Sequence, residues 1–289
     1  MICNSCPRKC NIERDSALGF CKSPGAFRVA RAALHFWEEP CISGKNGSGT
    51  VFFSGCNLKC VYCQNYEISR ENKGREISDE KLLEIFDSLV LQGAENINLV
   101  NPTHYAERLA ALLKKHKPCV PVVYNTSGYE SVETLKKLEG LVDVYLTDFK
   151  YIRSEKAKRY SSAVDYPEVA KAALAEMARQ ISEDKFENGM MKKGIIIRHL
   201  VLPSNTNSSL EILDYLKGDY KNRFVSLMAQ YTPCGKLEDF EEINRRITRR
   251  EYEKVCNYAE KLGFENLFVQ KLSSADKNFI PPFDFSGLM

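Results

Sequence analysis

The sequence has little net charge and no long run of apolar residues, and each absence excludes a class of protein. It contains 41 lysine and arginine residues against 38 aspartate and glutamate residues, which leaves a formal charge of +3. Domains that bind nucleic acids are usually far more basic. No apolar run approaches the roughly 18 residues of a membrane span, and the start, Met1–Asn4, lacks the apolar core of a signal peptide. We therefore expect a cytoplasmic protein that has neither a membrane nor a nucleic acid as its partner.

The sequence also lacks the composition of disordered and fibrous proteins. Of its 289 residues, 44% are hydrophobic and 27% are charged. These proportions are ordinary for a globular chain that buries a sizeable core. Because the length exceeds the roughly 100 to 200 residues of a usual domain, we expect one large domain with a small addition.

Cysteine is the residue type that stands out, with 11 copies. An odd number without a secretory signal argues against a disulfide framework, and free thiols that occur in groups bind soft metals. Three cysteines outside the groups are expected to be buried structural thiols, since a free cysteine packs as a small apolar side chain. These are Cys119, Cys234 and Cys256. Seven others form two groups: Cys3, Cys6, Cys10 and Cys21, and then Cys56, Cys60 and Cys63.

Strand patterns alternate with helical patterns from residue 49 onward. The predicted strands are 50–54, 97–100, 120–124, 142–147, 194–202 and 223–229, with a seventh candidate at 266–269. The predicted helices are 79–91, 104–115, 130–138, the region 154–186, 208–216 and 249–262. This alternation predicts βαβ units and a parallel sheet. Six or seven units are too few for a standard eight-stranded barrel.

The fold class predicted from this pattern is α/β, as a partial (β/α)6 TIM-like barrel with a small N-terminal cysteine-rich module. We assign residues 1–45 to the module and residues 46–289 to the barrel. Barrels of this kind place their chemistry at the carboxyl ends of the strands. Reactive residues are therefore expected directly after each strand.

The loop after the first predicted strand carries three cysteines in the pattern Cys56-x3-Cys60-x2-Cys63. Three thiolates so close together can face a single centre. Closed structural zinc sites use four ligands, whereas catalytic sites keep one position open. Three cysteines on a four-iron cluster would likewise leave one iron free for a substrate or cofactor.

This motif, with an aromatic residue at Tyr62, resembles the signature of the radical S-adenosylmethionine (SAM) superfamily. The resemblance implies that Cys56, Cys60 and Cys63 hold a [4Fe-4S] cluster whose unique iron binds SAM. It also implies that Tyr62 packs near the adenine. In the family, one-electron reduction cleaves SAM to methionine and a 5′-deoxyadenosyl radical, which abstracts hydrogen from the substrate; the protein positions the cofactor and excludes water.

Three later strand ends resemble those of glycyl-radical-enzyme activases. The segment 124–128 is similar to their Asp-Thr-Asn-Gly stretch, 147–150 to their Asp-x-Lys motif, and 197–203 to their Ile-Arg-x-x-x-x-Pro run. By this resemblance, Thr126, Asp148 and Lys150 lie near the methionine and ribose end of SAM, and Arg198 lies near its carboxylate. Charge-assisted partners suit a charged group in a dry pocket.

The sequence departs from the activases after the second strand. They have Gly-Gly-Glu-Pro where this chain has the segment 100–104, in which Asn101 or Thr103 can supply an oxygen acceptor. Asn125 stands where the activases have an aspartate. Over nearly its whole length the chain looks most similar to the pyruvate formate-lyase activating enzyme-like branch.

The resemblance to this branch implies two protein partners. One is a reductant such as flavodoxin or ferredoxin, and the other is a glycyl radical enzyme as substrate. Two alternatives stay open: radical SAM modification of another peptide, an RNA or a small metabolite, and a non-enzymatic metal-binding interaction protein.

The N-terminal group has the spacing Cys3-x2-Cys6-x3-Cys10-x10-Cys21. Four thiols in a segment too short to fold on its own core indicate a second metal site. Four thiolates suit both a second iron–sulfur cluster and zinc, and a module without metal is the third alternative.

Glu38 and Glu39, which precede the barrel, either face its opening or are surface charges.

Overall fold

The described part of the chain contains ten strands and nine α-helices. The computed structural model describes residues 2–274 and 280–288. The strands are β1 (Phe27–His35), β2 (Ser48–Phe53), β3 (Arg75–Ile77), β4 (Ile97–Val100), β5 (Val122–Thr126), β6 (Val144–Asp148), β7 (Lys185–Glu187), β8 (Met190–Leu200), β9 (Phe224–Met228) and β10 (Leu267–Val269). The helices are α1 (Pro40–Ser43), α2 (Tyr66–Ser69), α3 (Asp79–Leu91), α4 (Ala106–Lys115), α5 (Val132–Lys137), α6 (Ser154–Ser161), α7 (Tyr166–Gln180), α8 (Thr206–Asp219) and α9 (Arg249–Leu262). Within the described residues, no helix is both long and apolar enough to cross a membrane.

The strands form one sheet in the order β10-β9-β8-β6-β5-β4-β2-β1-β3, with β7 paired to β8. Strands β2, β4, β5, β6, β8, β9 and β10 run parallel. Strand β1 is antiparallel to β2, and β3 is antiparallel to β1. Among the described residues the two outer strands, β10 and β3, do not pair, so the barrel is open. The predicted partial TIM-like barrel is confirmed, and β10 is the seventh parallel strand.

Alternate residues of each strand point into the barrel, where their character changes along the strand axis. Near the amino ends the interior is apolar, with Val144, Leu146 and Ile196 in one cluster. Helix α1 inserts Cys41 and Ile42 into the same cluster and so closes this end. Asp148 follows Leu146 by two residues on β6, and Arg198 follows Ile196 by two residues on β8, so both side chains also point into the barrel. The two residues are direct neighbours in the pairing of β6 with β8. The carboxyl ends of the strands therefore carry a polar layer.

The outward faces of the strands pack against the helices. Helices α3 and α4 cover β1, β2 and β4 in one apolar cluster that includes Phe53 and Leu99. Helices α5 to α9 cover the rest of the sheet in a larger cluster that includes Tyr145 and Leu227. Because both faces of the parallel sheet are buried, its strands are apolar almost throughout.

Three of the strands were not predicted from the sequence, and one predicted helical region is longer than the observed helices. Strand β1 is rich in alanine and contains a register shift between Val29 and Arg31, which breaks the alternation that marks a strand. Strands β3 and β7 have three residues each, too few for a periodic pattern. Of the region 154–186, only α6 and α7 are helical. Strand β1 belongs to residues 1–45 but pairs with β2 of the main sheet. The division of the chain into two parts at residue 45 stays a prediction.

One of the predicted buried thiols is exposed. Cys256 is buried and Cys234 is half-buried, but Cys119 is exposed. The prediction for Cys119 was wrong because β5 starts at Val122 rather than at residue 120. Cys119 therefore lies in the loop that precedes the strand.

Candidate functional site

A cavity of about 280 Å³ lies at the carboxyl ends of the parallel strands. It receives side chains from the loop after β2 and from the ends of β4, β5, β6 and β8. Nine barrel residues that the sequence singled out line it. The loop contributes Cys56, Cys60, Tyr62 and Cys63, and the strand ends contribute Asn101, Thr126, Asp148, Lys150 and Arg198.

The cysteine loop begins with a turn that only glycine allows. Gly55 has a φ of +87°, and a Cβ at this position would lie 2.8 Å from the carbonyl oxygen of Cys21. The turn directs Cys56 back toward its own loop, where its Sγ accepts hydrogen bonds from the backbone N–H groups of Leu58 (3.3 Å) and Lys59 (3.4 Å). Donors aimed at a sulfur stabilise a thiolate there.

The thiols of Cys56 and Cys63 are poorly suited to ionise without a positive partner. Burial raises the pKa of Cys56, and the neighbouring Cys60 thiolate adds to this rise. Burial also raises the pKa of Cys63 to about 12. Metal ligation deprotonates such thiols, so the donor set of this loop fits a metal cluster.

A network of largely buried charges forms the floor of the cavity. The Arg198 guanidinium donates from Nε to Asp148 Oδ1 (2.9 Å), from Nη1 to Glu38 Oε2 (3.0 Å) and from Nη2 to Asn125 Oδ1 (2.6 Å). Lys150 Nζ donates to the other oxygen of Asp148 at 2.6 Å. Burial alone would raise the pKa of Asp148, but the charges of Lys150 and Arg198 hold it below its ordinary value.

Glu38 and Glu39 face the barrel interior, so they are not surface charges. Glu38 Oε1 also accepts hydrogen bonds from the amides of Asn98 and Asn125, both at 3.1 Å. Burial raises the pKa of Glu39, and Glu39 Oε2 has no hydrogen-bond partner within the described chain. The position of both carboxylates follows from α1, which enters the barrel immediately after them.

The two polar residues expected after β4 have different roles. Asn101 lines the cavity, has a φ of +56°, and donates its side-chain amide to the carbonyl oxygen of Gly55. It therefore ties the end of β4 to the cysteine loop. Thr103 is buried away from the cavity and donates to Glu130 Oε1 at 2.5 Å.

Glu130 is a buried carboxylate that the sequence did not single out. Its carboxylate accepts hydrogen bonds from the hydroxyls of Thr103, Thr126 and Tyr124. Burial raises its pKa to about 7, although these three donors oppose the rise. The hydroxyl of Thr126, expected to contact a cofactor, is thus held by Glu130. No spacing rule marks Glu130, because its partners come from two segments, the end of β5 and the turn after β4.

Three buried polar atoms in the cavity wall have no hydrogen-bond partner among the described residues. They are Asn65 Oδ1, Ser127 Oγ and Thr232 Oγ1. An unpaired buried polar atom costs free energy comparable to a lost hydrogen bond. Such atoms in a cavity wall fit a polar ligand that would satisfy them.

The four N-terminal cysteines lie outside the cavity, and two of them, Cys6 and Cys21, lie on tight backbone turns. One turn is closed by Lys9 N–H on Cys6 O (3.0 Å), and the other by Lys22 N–H on Gly19 O (2.9 Å). Cys10 Sγ accepts the N–H of Phe20 at 3.5 Å.

The thiols of Cys3 and Cys6 are influenced by the other cysteines of the N-terminal group. Burial raises the pKa of Cys3, with smaller contributions from Cys21 and Cys10, and raises that of Cys6 to about 12, with contributions from Cys21 and Cys3. Within residues 2–274 and 280–288, no group of three or more histidine, cysteine, aspartate or glutamate side chains is arranged to hold a single metal ion.

The N-terminal segment packs directly against the cysteine loop. Arg8 donates from Nε to Asn57 O (2.8 Å) and from Nη2 to Ser161 O (3.1 Å). Ser23 Oγ donates to Ser54 O at 3.2 Å. These bonds connect the N-terminal turns, the loop after β2 and the end of α6, so the two cysteine groups have a fixed relative position.

Comparison with known proteins points to one family. The family model described as Radical SAM superfamily matches residues 50–216. The chain is 31% identical over 277 residues to the uncharacterized protein MJ0674 of Methanocaldococcus jannaschii. This alignment covers 92% of this chain and 76% of MJ0674.

Two solved structures share the fold. Methylornithine synthase (PylB) aligns with a TM-score of 0.51 and 15% identity, over 71% of this chain and 59% of that one. Streptococcus suis SuiB bound to precursor peptide SuiA aligns with a TM-score of 0.50 and 13% identity, over 76% of this chain and 48% of that one. The chain thus spans about half the length of these two structures.

Glu130 makes the stability of the protein depend on pH. Its pKa is about 7 in the folded protein, against an ordinary value of 4.5. The folded state therefore holds the proton more tightly, and this stabilisation is complete below pH 4.5 and lost as the pH rises through 7. Between about pH 5.5 and about pH 8, the free energy of unfolding of the wild type should fall by about 2 kcal/mol more than that of Glu130→Gln.

Urea titrations at the two pH values measure this difference. The exposed Glu71→Gln variant is the matched control, and it should keep the pH dependence of the wild type. Parallel pH dependences for the wild type and Glu130→Gln would contradict the assignment.

Proposed function

Because the chain belongs to the radical SAM superfamily, we propose that its cavity binds a [4Fe-4S] cluster and SAM and abstracts a hydrogen atom from a glycine Cα of a partner protein. The observation that carries this proposal is the placement of Cys56, Cys60 and Cys63. All three line a cavity that the buried charges of the strand ends also line. The cofactors are those of the superfamily, and the assignment of residues to them is our proposal.

The three cysteines would hold the cluster, and the polar layer would hold SAM. When bound, the cluster supplies one electron that cleaves SAM to methionine and a 5′-deoxyadenosyl radical, which takes the hydrogen atom from the substrate. Arg198 uses three of its five N–H groups on Asp148, Glu38 and Asn125, and Lys150 uses one of its three on Asp148. The remaining donors would bind the carboxylate of SAM.

The other lining residues would orient SAM and exclude water. Tyr62, whose ring lies in the cavity wall, would pack against the adenine, and Asn101 and Thr126 would border the methionine end. Apolar side chains complete the wall, among them Phe52 and Met228. These side chains would help to exclude water from the cavity, which protects reactive intermediates from side reactions.

The glycine substrate is supported by the likeness of three strand ends to glycyl-radical-enzyme activases. The segments 124–128, 147–150 and 197–203 carry this likeness, and each contributes side chains to the cavity wall. An electron carrier such as flavodoxin or ferredoxin would reduce the cluster.

Cleavage of SAM is the first test of this function. Anaerobically reconstituted protein, given dithionite and SAM, should release 5′-deoxyadenosine, which chromatography measures. The Cys56→Ala variant should release none above background, because it lacks one of three ligands. Cys119→Ala, which changes an exposed cysteine outside the cavity, is the matched control and should match the wild type. Equal release from wild type and Cys56→Ala would overturn the proposal.

Formation of a glycyl radical is the test of the substrate. The reduced protein is incubated with SAM and with each candidate glycyl radical enzyme from its own organism. Electron paramagnetic resonance should then show a glycyl doublet, absent when SAM is omitted. If 5′-deoxyadenosine forms but no candidate gains the doublet, the substrate is another peptide, an RNA or a small metabolite.

We also propose a second metal centre on Cys3, Cys6, Cys10 and Cys21. Apart from an isolated bridge between Ile2 and Glu13, the described residues 2–26 form no helix or strand. A segment with so little regular structure gains much of its folding free energy from a metal. The neighbouring cysteines contribute to the raised pKa values of Cys3 and Cys6, which supports a common site. An iron–sulfur cluster is the expected centre, and zinc is the alternative.

Metal analysis identifies this second centre. The variant with Cys56, Cys60 and Cys63 all changed to alanine is purified anaerobically, so that only the N-terminal site can bind metal. About four irons per chain would support a cluster, and one zinc would support a knuckle. Folded protein that retains neither metal would contradict the proposal.

A further inference from the structure

A chain of hydroxyl groups leads from the cavity wall to the sulfur of Cys60. Ser161 Oγ donates to Cys60 Sγ at 3.1 Å, Tyr151 Oη lies 2.8 Å from Ser161 Oγ, and Tyr62 Oη lies 2.7 Å from Tyr151 Oη. All four residues are buried. In the described part of the chain, no other hydrogen bond involves these three hydroxyls.

The chemistry of the sulfur fixes the direction of this chain. A cysteine that ligates a metal has no proton, so Cys60 Sγ can only accept. The Ser161 hydroxyl must then donate to it and accept from Tyr151, whose oxygen in turn accepts from Tyr62. All three O–H dipoles therefore point toward one sulfur, and hydrogen bonds in such a chain polarise one another.

We propose that Ser161, Tyr151 and Tyr62 form a directional hydroxyl chain that raises the reduction potential of the cluster. This inference rests on the proposed function, because it takes Cys60 as a cluster ligand. Reduction adds one electron from an external low-potential carrier to the cluster. Hydrogen bonds to the sulfurs stabilise the added negative charge and are among the main determinants of cluster potential.

The contributions are graded along the chain. Ser161 touches the sulfur and contributes most, while Tyr151 and Tyr62 act by polarising the next hydroxyl. They are positioning residues, since none of them ligates the cluster. The N–H groups of Leu58 and Lys59 bond to Cys56 instead, so a change in the chain leaves them in place.

Tyr160 provides a matched control within the same aromatic cluster. Its ring lies 6.2 Å from that of Tyr62 and 6.3 Å from that of Tyr151. It is fully buried, but its hydroxyl donates to Glu242 at 2.8 Å and makes no contact with the chain. Tyr160→Phe therefore removes a hydroxyl of the same kind from the same packing environment.

The test is a redox titration of the reconstituted full-length protein, followed by electron paramagnetic resonance of the reduced cluster. The midpoint potential should shift to more negative values, most in Ser161→Ala, less in Tyr151→Phe and least in Tyr62→Phe. Ser161→Thr keeps a hydroxyl and should stay close to the wild type, as should Tyr160→Phe. Iron content is measured in each variant, so that a lost cluster is not mistaken for a shifted one.

Three results would overturn the proposal. They are unchanged potentials in both Ser161→Ala and Tyr151→Phe, a shift in Tyr160→Phe as large as theirs, or a shift to more positive values. If Ser161→Ala fails to keep its cluster, Tyr151→Phe decides alone, because it keeps the ring and removes only one oxygen. If the wild type cleaves SAM but the variants have the same cluster midpoint potential as the wild type, only the role of the hydroxyl chain is refuted. A wild type without any cluster signal would instead refute the proposed function.

Discussion

Paired charges inside a barrel hold the rest of this structure in place. A buried arginine is tolerated only where acids satisfy it, and Arg198 finds them on two separate parts of the chain. Asp148 comes from the neighbouring strand, and Glu38 comes from the segment that precedes the closing helix α1. The same pairs therefore fix the strand ends, the closing segment and the floor of the cavity relative to one another. The cysteine loop is joined to this frame by Asn101, which bonds to Gly55.

The parallel sheet was predictable because its strands and helices obey simple periodicities. Helices α3 and α9 and strand β4 have the bounds expected from apolar spacing alone. Strand β1 was not predicted, because a bulge and its alanines hide the alternation of apolar and polar residues. Helix α1, which closes the amino end of the barrel, was not predicted for another reason. A helix of four residues is too short to show a helical period in the sequence, and Ile42 is buried only because the barrel surrounds it.

The candidate site was predictable where its residues follow strands directly. Asp148 and Arg198 stand at adjacent strand ends in register, so their meeting follows from the parallel pairing. Glu130 escaped because its burial depends on how the end of β5 packs against Thr103, and the hydroxyl chain escaped because its members are distant in sequence. Ser161 lies 101 residues from Cys60, and no local pattern relates a residue at the end of α6 to a cysteine in the loop after β2. The direction in which Glu38 points likewise depends on the fold.

The helix that fills the amino end of the barrel has a kinetic consequence. With Cys41 and Ile42 packed among the lower strand residues, the cavity is a well with its mouth at the carboxyl ends. A molecule bound at the floor of the cavity therefore cannot enter or leave past α1. Under the function proposed above, a bulky partner seated at the mouth would slow the departure of the small products.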